Sequence, residues 1–219
     1  MPILRSLEAR VLPGKRQQWG ALMREIKTII DKHGAPLRVL QLQLGGNPGT
    51  VLSSTLAADW GDLAKRAKAL NADAAYQAFL GRGAMVDVAE VVEVRVANDI
   101  TSEVGSPSDA LQNAQIIQVT SLRLLPGKRA KQLEFIKQMR EARKGSGLVT
   151  ATILEQVIGD AGLLHLVWGY ADLDAWAKDR AAGAPKGFAD IQQRSFADPL
   201  WPYSEPVATR VYADITNQL

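Results

Sequence analysis

Along the first thirty residues the apolar positions change their period once. In "RSLEARVL", residues 5–12, Leu7, Ala9 and Val11 alternate with Ser6, Glu8 and Arg10, the period of two that a half-buried strand requires. Beyond "PGKR" at 13–16, Trp19, Leu22, Met23, Ile26, Ile29 and Ile30 return every three or four positions, which predicts one buried helix face ending at His33 and Gly34. "RVLQLQL" and "TVLSSTLA" then predict two strands joined by a glycine-containing hairpin turn. Asp59 is placed to cap a short helix bearing Trp60 and Leu63, and "VVEVRV" supplies a last strand.

The same order recurs. Sliding the chain by 113 positions pairs "VLPGKR" with "LLPGKR", Gly34 with Gly147, Gln43 with Gln156, and Asp59 with Asp172, without a gap. Fourteen of the fifty-seven pairs from position 10 to 66 are identical, where ordinary composition gives roughly one in sixteen. The chain is a duplication. Near each copy's end the offset becomes 115, pairing Arg95 with Arg210 and Asp99 with Asp214. Residues 1–100 form one repeat and 115–219 the other, with 101–114, rich in Ser, Pro, Gly and Asn, expected to connect them.

Each repeat reads strand, helix, strand, strand, helix, strand, the ferredoxin-like βαββαβ unit. The fold class is therefore α+β. Such a sheet carries helices on one face and must cover the other, so the two antiparallel sheets are expected to pack face to face as an intrachain α/β barrel. With its Pro-Gly-Lys turn after the first strand and its Asp-capped second helix, the chain resembles the dimeric α/β-barrel superfamily. The tandem arrangement and "LPGKR" are similar to the NIPSNAP-like branch, and antibiotic-biosynthesis monooxygenases are more distant relatives. The resemblance implies a small organic ligand held between the halves, or a cofactor-independent monooxygenase or isomerase.

Composition narrows the chemistry. The 219 residues are 47% hydrophobic and 22% charged, as in a globular protein with a sizeable core, and the formal charge of +3 is dispersed, which gives no footprint for nucleic acid. No cysteine is present, which excludes disulfides and thiolate chemistry. The amino terminus has no signal-peptide pattern and no run approaches about 20 apolar residues, so a cytoplasmic protein without a membrane partner is expected, as monomer or homodimer. No histidine or carboxylate pair stands at metal-ligand spacing, and no cofactor is expected.

Strand parity proposes a site. With Leu7, Ala9 and Val11 facing the helices, Glu8 and Arg10 face away, as does Arg123 in the second repeat. Taking Leu40, Leu42 and Leu44 as the helix face leaves Gln41, Gln43 and its match Gln156 opposite; Val92, Val94 and Val96 leave Glu93, Arg95 and its match Arg210. Arg10, Gln43, Arg95, Arg123, Gln156 and Arg210 are thus candidate ligand contacts, or an Arg-Glu-Gln network that fixes the packing. His165, in "LLHLVWGY", replaces Leu52 of the first repeat and is the candidate catalytic base. Its neighbours are apolar on both sides, so alternation does not orient it. Trp168, on the same strand, would offer a ligand stacking surface. An interaction protein with a filled interior is the third reading.

Overall fold

A computed structural model describes residues 1–105, 114–143, 147–185 and 187–219. Among them the chain forms two compact units: 1–98 with 157–159 and 212–219, and 99–156 with 160–211. The first contains β1 (Ile3–Val11), α1 (Arg16–Asp31), β2 (Arg38–Leu44), β3 (Thr50–Ala57), α2 (Trp60–Ala72), α3 (Ala74–Gly81) and β4 (Ala89–Asp99). The second contains β5 (Ile116–Leu124), α4 (Arg129–Ala142), β6 (Leu148–Ile158), β7 (Leu163–Tyr170), α5 (Leu173–Ala181), α6 (Phe188–Ala197) and β8 (Ser204–Asp214). Short 3-10 helices follow β4 at Thr101–Val104 and β8 at Thr216–Gln218. Of the expected connector, residues 106–113 lie outside the described residues.

The strand order is β4-β1-β3-β2 in the first unit and β8-β5-β7-β6 in the second, the antiparallel ferredoxin-like arrangement twice over. In each, Pro-Gly ends the first strand. Gly14 and Gly127 take φ of 73° and 71°, a left-handed conformation that glycine adopts without steric cost. Lys15, at the start of α1, makes no side-chain cap, so packing must hold this helix. Trp19, Met23, Ile26 and Ile29 are buried against Ala9, Val39 and Val51, and each such side chain contributes about 1.5–3 kcal/mol. In the second unit Leu133 and Ile136 of α4 pack on Ile153 and Leu164, with Leu122 and Leu124 beside them.

After β3 and β7 the chain makes two helices where the sequence predicts one. Asp59 and Asp172 cap α2 and α5 as expected, accepting from the N–H groups of Asp62 and Ala175. Asp73 then breaks the first pair: it ends α2 and caps α3 by accepting from Ala75 and Tyr76. His33 donates to the second oxygen of Asp73 at 2.9 Å, tying the end of α1 to this break.

The gapless register conceals two compensating changes. Val39 accepts from Ile215 N–H at 2.9 Å and donates to Thr216 Oγ1; Ile153 accepts from Ile100 N–H at 2.9 Å and donates to Thr101 Oγ1. Val39 is therefore equivalent to Ile153, an offset of 114. A bulge between Leu148 and Thr150 absorbs the extra residue in β6. The following hairpin is one residue shorter, so that Gly49 and Gly162, accepting from Val11 and Leu124 N–H, return to 113. Gln156 thus corresponds to Leu42, not to Gln43. The same contacts reverse the phase of β2: Val39 joins the α1 core, so Gln41 and Gln43 lie on the helix face and Leu40 and Leu42 on the other. Val39 and Leu40 are both apolar, which left the pattern two phases to choose from.

Candidate functional site

The central strand of the second unit, β7, carries the candidate site. Leu164 and Leu166 face α4, so Leu163, His165 and Val167 point to the opposite, helix-free face. The register sets Ser121 of β5 beside His165 on one side and Leu154 of β6 on the other. Gln156, two residues along β6 from Leu154, therefore shares that face. His165 is 7% exposed and Gln156 2%, whereas Ser121 is half-buried.

The three side chains form a hydrogen-bonded chain. Gln156 Oε1 accepts from His165 Nε2–H at 2.7 Å, and His165 Nδ1 accepts from the Ser121 hydroxyl at 2.9 Å. With Nε2 donating to the amide oxygen, a neutral ring carries its proton on Nε2 and turns Nδ1 to the Ser121 hydroxyl. The amide orients the ring without placing a full negative charge beside it. Nearby, Arg123 forms a two-point ion pair with Asp160 of the β6–β7 turn. Arg123 holds the Asp160 carboxyl below its ordinary range, with a smaller contribution from His165, and Asp160 raises Arg123 in turn.

In the first unit the matching positions are Glu8, Leu52 and Leu42, and no such chain forms. Instead Glu8, 4% exposed, pairs with Arg95 at 2.6 Å, and Arg95 also reaches Glu93 at 2.6 Å. Burial opposes the Arg95 charge, but the hydrogen bond it donates to Glu93 and the charge of Glu8 outweigh it and keep Arg95 protonated above its ordinary range. Glu8, Arg95 and Glu93 thus form an ion-pair network on that face. Arg10 lies beside it on β1, with its Nε buried and lacking a hydrogen-bond partner among the described residues. Arg210 is adjacent to Thr209, which meets Thr120 on the helix side at 3.3 Å, so Arg210 takes the helix-free face.

Two expected site residues, Gln43 and Trp168, lie elsewhere. Gln43 is exposed at the end of β2. Trp168 belongs to the helix face, where the Arg143 guanidinium sits 5.0 Å from its ring centre. Tyr170, on the same face, donates to Asp179 at 2.7 Å; burial and the Asp179 carboxylate raise its hydroxyl above the ordinary range. Alternation from His165 itself separates Trp168 from it. Trp201 and Tyr203 pack edge-to-face on Phe135 of α4. Ser121 and Asp160 were missed, because a lone serine on a strand and an aspartate in a turn carry no signal until the register pairs them with His165 and Arg123. Among the described residues no cluster of three metal-binding side chains occurs, and no helix is long and apolar enough to cross a membrane.

No protein-family model matches the chain, and comparison with curated proteins finds no match. Solved structures do match. A proposed monooxygenase of Lactobacillus acidophilus aligns with a TM-score of 0.60 at 9% identity, over 97% of this chain and 92% of that one. An anthrone oxidase-like protein aligns at 0.58 and 13% identity, over 97% and 91%. A heme-binding protein of Thermus thermophilus aligns at 0.55 and 12% identity, over 97% and 90%. The chain shares the ferredoxin-like α+β fold of these structures, as its sequence predicted. At these identities the likeness is one of fold, and the fold hosts unrelated functions.

Proposed function

We propose that the protein binds a small organic molecule against the helix-free face of its second repeat, at Ser121. The observation that carries this reading is the Ser121–His165–Gln156 chain, present in one repeat and replaced by Glu8, Leu52 and Leu42 in the other. A duplicated scaffold needs the same residues twice; a site needs them once. Because His165 is buried and Ser121 is half-buried, an acidic group of the ligand meets the Ser121 hydroxyl first. Its proton passes to Ser121 as the Ser121 proton moves to His165 Nδ1. Arg123 and Asp160 border this face, and Arg210 shares it.

That proton path favours a second reading, a cofactor-independent monooxygenase or isomerase with His165 as base. The anthrone oxidase-like and proposed monooxygenase neighbours supply its first substrate class: aromatic compounds with an acidic O–H or C–H. Both readings are tested by following the ring protons of the two histidines by NMR while anthrone and simple phenols are added. Binding moves the His165 signals and leaves those of His33; unmoved His165 signals across the panel would overturn the site. Turnover of anthrone in air that disappears in His165→Ala supports the enzyme, and turnover that persists in a folded His165→Ala removes the base.

A further inference from the structure

The Pro-Gly-Lys turns that begin the two repeats lead to the same arginine, and its partners differ. In the second unit Arg129 makes two-point contacts with Glu155 at 2.8 Å and with Glu103 at 2.9 and 3.0 Å. The hydrogen bonds that Arg129 donates to both carboxylates raise its pKa beyond its ordinary range. In the first unit Arg16 donates to the Gln41 amide oxygen at 2.7 Å and pairs with no carboxylate among the described residues. Gln41 stands where Glu155 does, by the offset of 114 that Val39 and Ile153 establish. Gln218, in the 3-10 helix after β8, stands where Glu103 does by the offset of 115 that pairs Asp214 with Asp99. Those two aspartates accept from Thr216 and Thr101 N–H in matching turns, each at 2.9 Å. Both acidic partners of the arginine have become neutral amides in one repeat.

The same place is hollow. A cavity of about 280 Å³ opens beside Arg16 and Gln41, walled by Val11, Pro13, Trp19, Val51 and Ile215. It adjoins a groove that Arg16 shares with Arg24 and Gln218. Neither contains an acidic side chain among its lining residues. In the second unit Trp19 is replaced by Gln132, which accepts from Ser204 at 3.0 Å, so the apolar floor is also particular to the first. Small-molecule sites occupy about 300–1,000 Å³ and combine an apolar wall with a few placed polar groups. This one is at the small end, with room for one or two rings or a short alkyl chain.

We propose that this cavity binds a small organic anion, a carboxylate on a compact apolar body, whose charge takes at Arg16 the place that Glu155 and Glu103 hold at Arg129. The planar guanidinium donates to a carboxylate at two points, and Gln41 and Gln218 are amides that can donate to it as the glutamates could not. The site lies on the helix side of the first repeat and is independent of the His165 site.

Calorimetric titration with benzoate, 2-naphthoate and octanoate, and with neutral 2-naphthamide, tests it. Wild-type protein should bind at least one of the acids, and 2-naphthoate about tenfold or more better than its amide, the scale of a hydrogen bond to a charged group. Arg16→Gln should abolish the preference for the acid. Gln41→Glu with Gln218→Glu, which restores the carboxylates, should exclude the acid from a protein that remains folded by circular dichroism. Arg129→Gln and His165→Ala should bind as wild type, which separates failure here from failure of the His165 site. Absence of binding by all three acids, equal binding of acid and amide, or wild-type affinity in Arg16→Gln would overturn the proposal.

Discussion

The first and second repeats solve the same packing problem with different polar chemistry on each face of the sheet. On the helix-free face the first repeat buries an ion-pair network, Glu8 with Arg95 and Glu93, and the second a neutral chain from Ser121 through His165 to Gln156. On the helix side the roles reverse: the second repeat neutralises Arg129 with two glutamates, and the first leaves Arg16 with an amide beside a cavity. Each repeat carries an ion-pair cluster on one face and hydrogen bonds to a neutral amide on the other. Duplication supplies the scaffold twice, and divergence can then spend each copy's polar groups separately.

The largest expected effect lies at Gly169 of β7. A Cβ there would meet Ala114 Cβ at 2.7 Å and fall closer still to Thr150 Cγ2. The equivalent position in the first repeat is Leu56, paired with Leu4 as Gly169 is with Ile117. Gly169→Ala should therefore lower stability in urea by about 1–3 kcal/mol through overpacking. An unchanged urea midpoint would mean that β7 and its neighbours pack no more tightly than β3.

Next comes the arginine pair. Arg129→Gln should cost about 1 kcal/mol, the upper range for partly exposed ion pairs, and leave Glu103 and Glu155 facing each other. Arg16→Gln should change stability by less than about 0.5 kcal/mol, as surface substitutions do. Equal costs would erase the distinction between the two turns.

The fold was legible because its signals are periodic and doubled. Trp19, Met23, Ile26 and Ile29 mark α1 without ambiguity, and Leu7, Ala9 and Val11 orient β1. The site was less so. Adjacent Val39 and Leu40 allow β2 either phase, and the bulge near Val149 with the shortened hairpin cancel over the length that a gapless comparison sees, so Gln156 was matched to Gln43. His165 has apolar residues on both sides, and its face is decided by Leu164 and Leu166 packing on α4. Glu103, a partner of Arg129, and Gln218, which lines the groove beside Arg16, each lie beyond the last strand of a repeat. Glu103 fell in the stretch read as a connector.

A smaller contrast concerns the segment before each last strand. Asp198 accepts from Lys131 Nζ at 2.8 Å, from Leu200 N–H and from Tyr203 OH, each at 2.9 Å. Lys131 foremost, then Leu200 and Tyr203, hold its carboxyl down to about 2 from an ordinary 3.8. Since the folded value is the lower, the carboxylate's contribution is fully present above about pH 4 and is lost as the pH falls through about 2. The stability difference between wild type and Asp198→Asn should accordingly be constant near neutrality and shrink through that acid window. The equivalent residue in the first repeat is Gly83, and substitution there should show no such dependence. A difference independent of pH would remove the charge from the explanation.

The most direct test of the divergence between the repeats is the protonation of the His165 ring, read from its two ¹⁵N shifts by long-range ¹H–¹⁵N NMR at neutral pH. With Gln156 accepting and Ser121 donating, Nε2 should carry the proton and Nδ1 should resonate as an unprotonated nitrogen. Gln156→Leu should release that preference. The opposite tautomer, or two shifts averaged by free exchange in the wild type, would contradict the Ser121–His165–Gln156 chain and the site built on it.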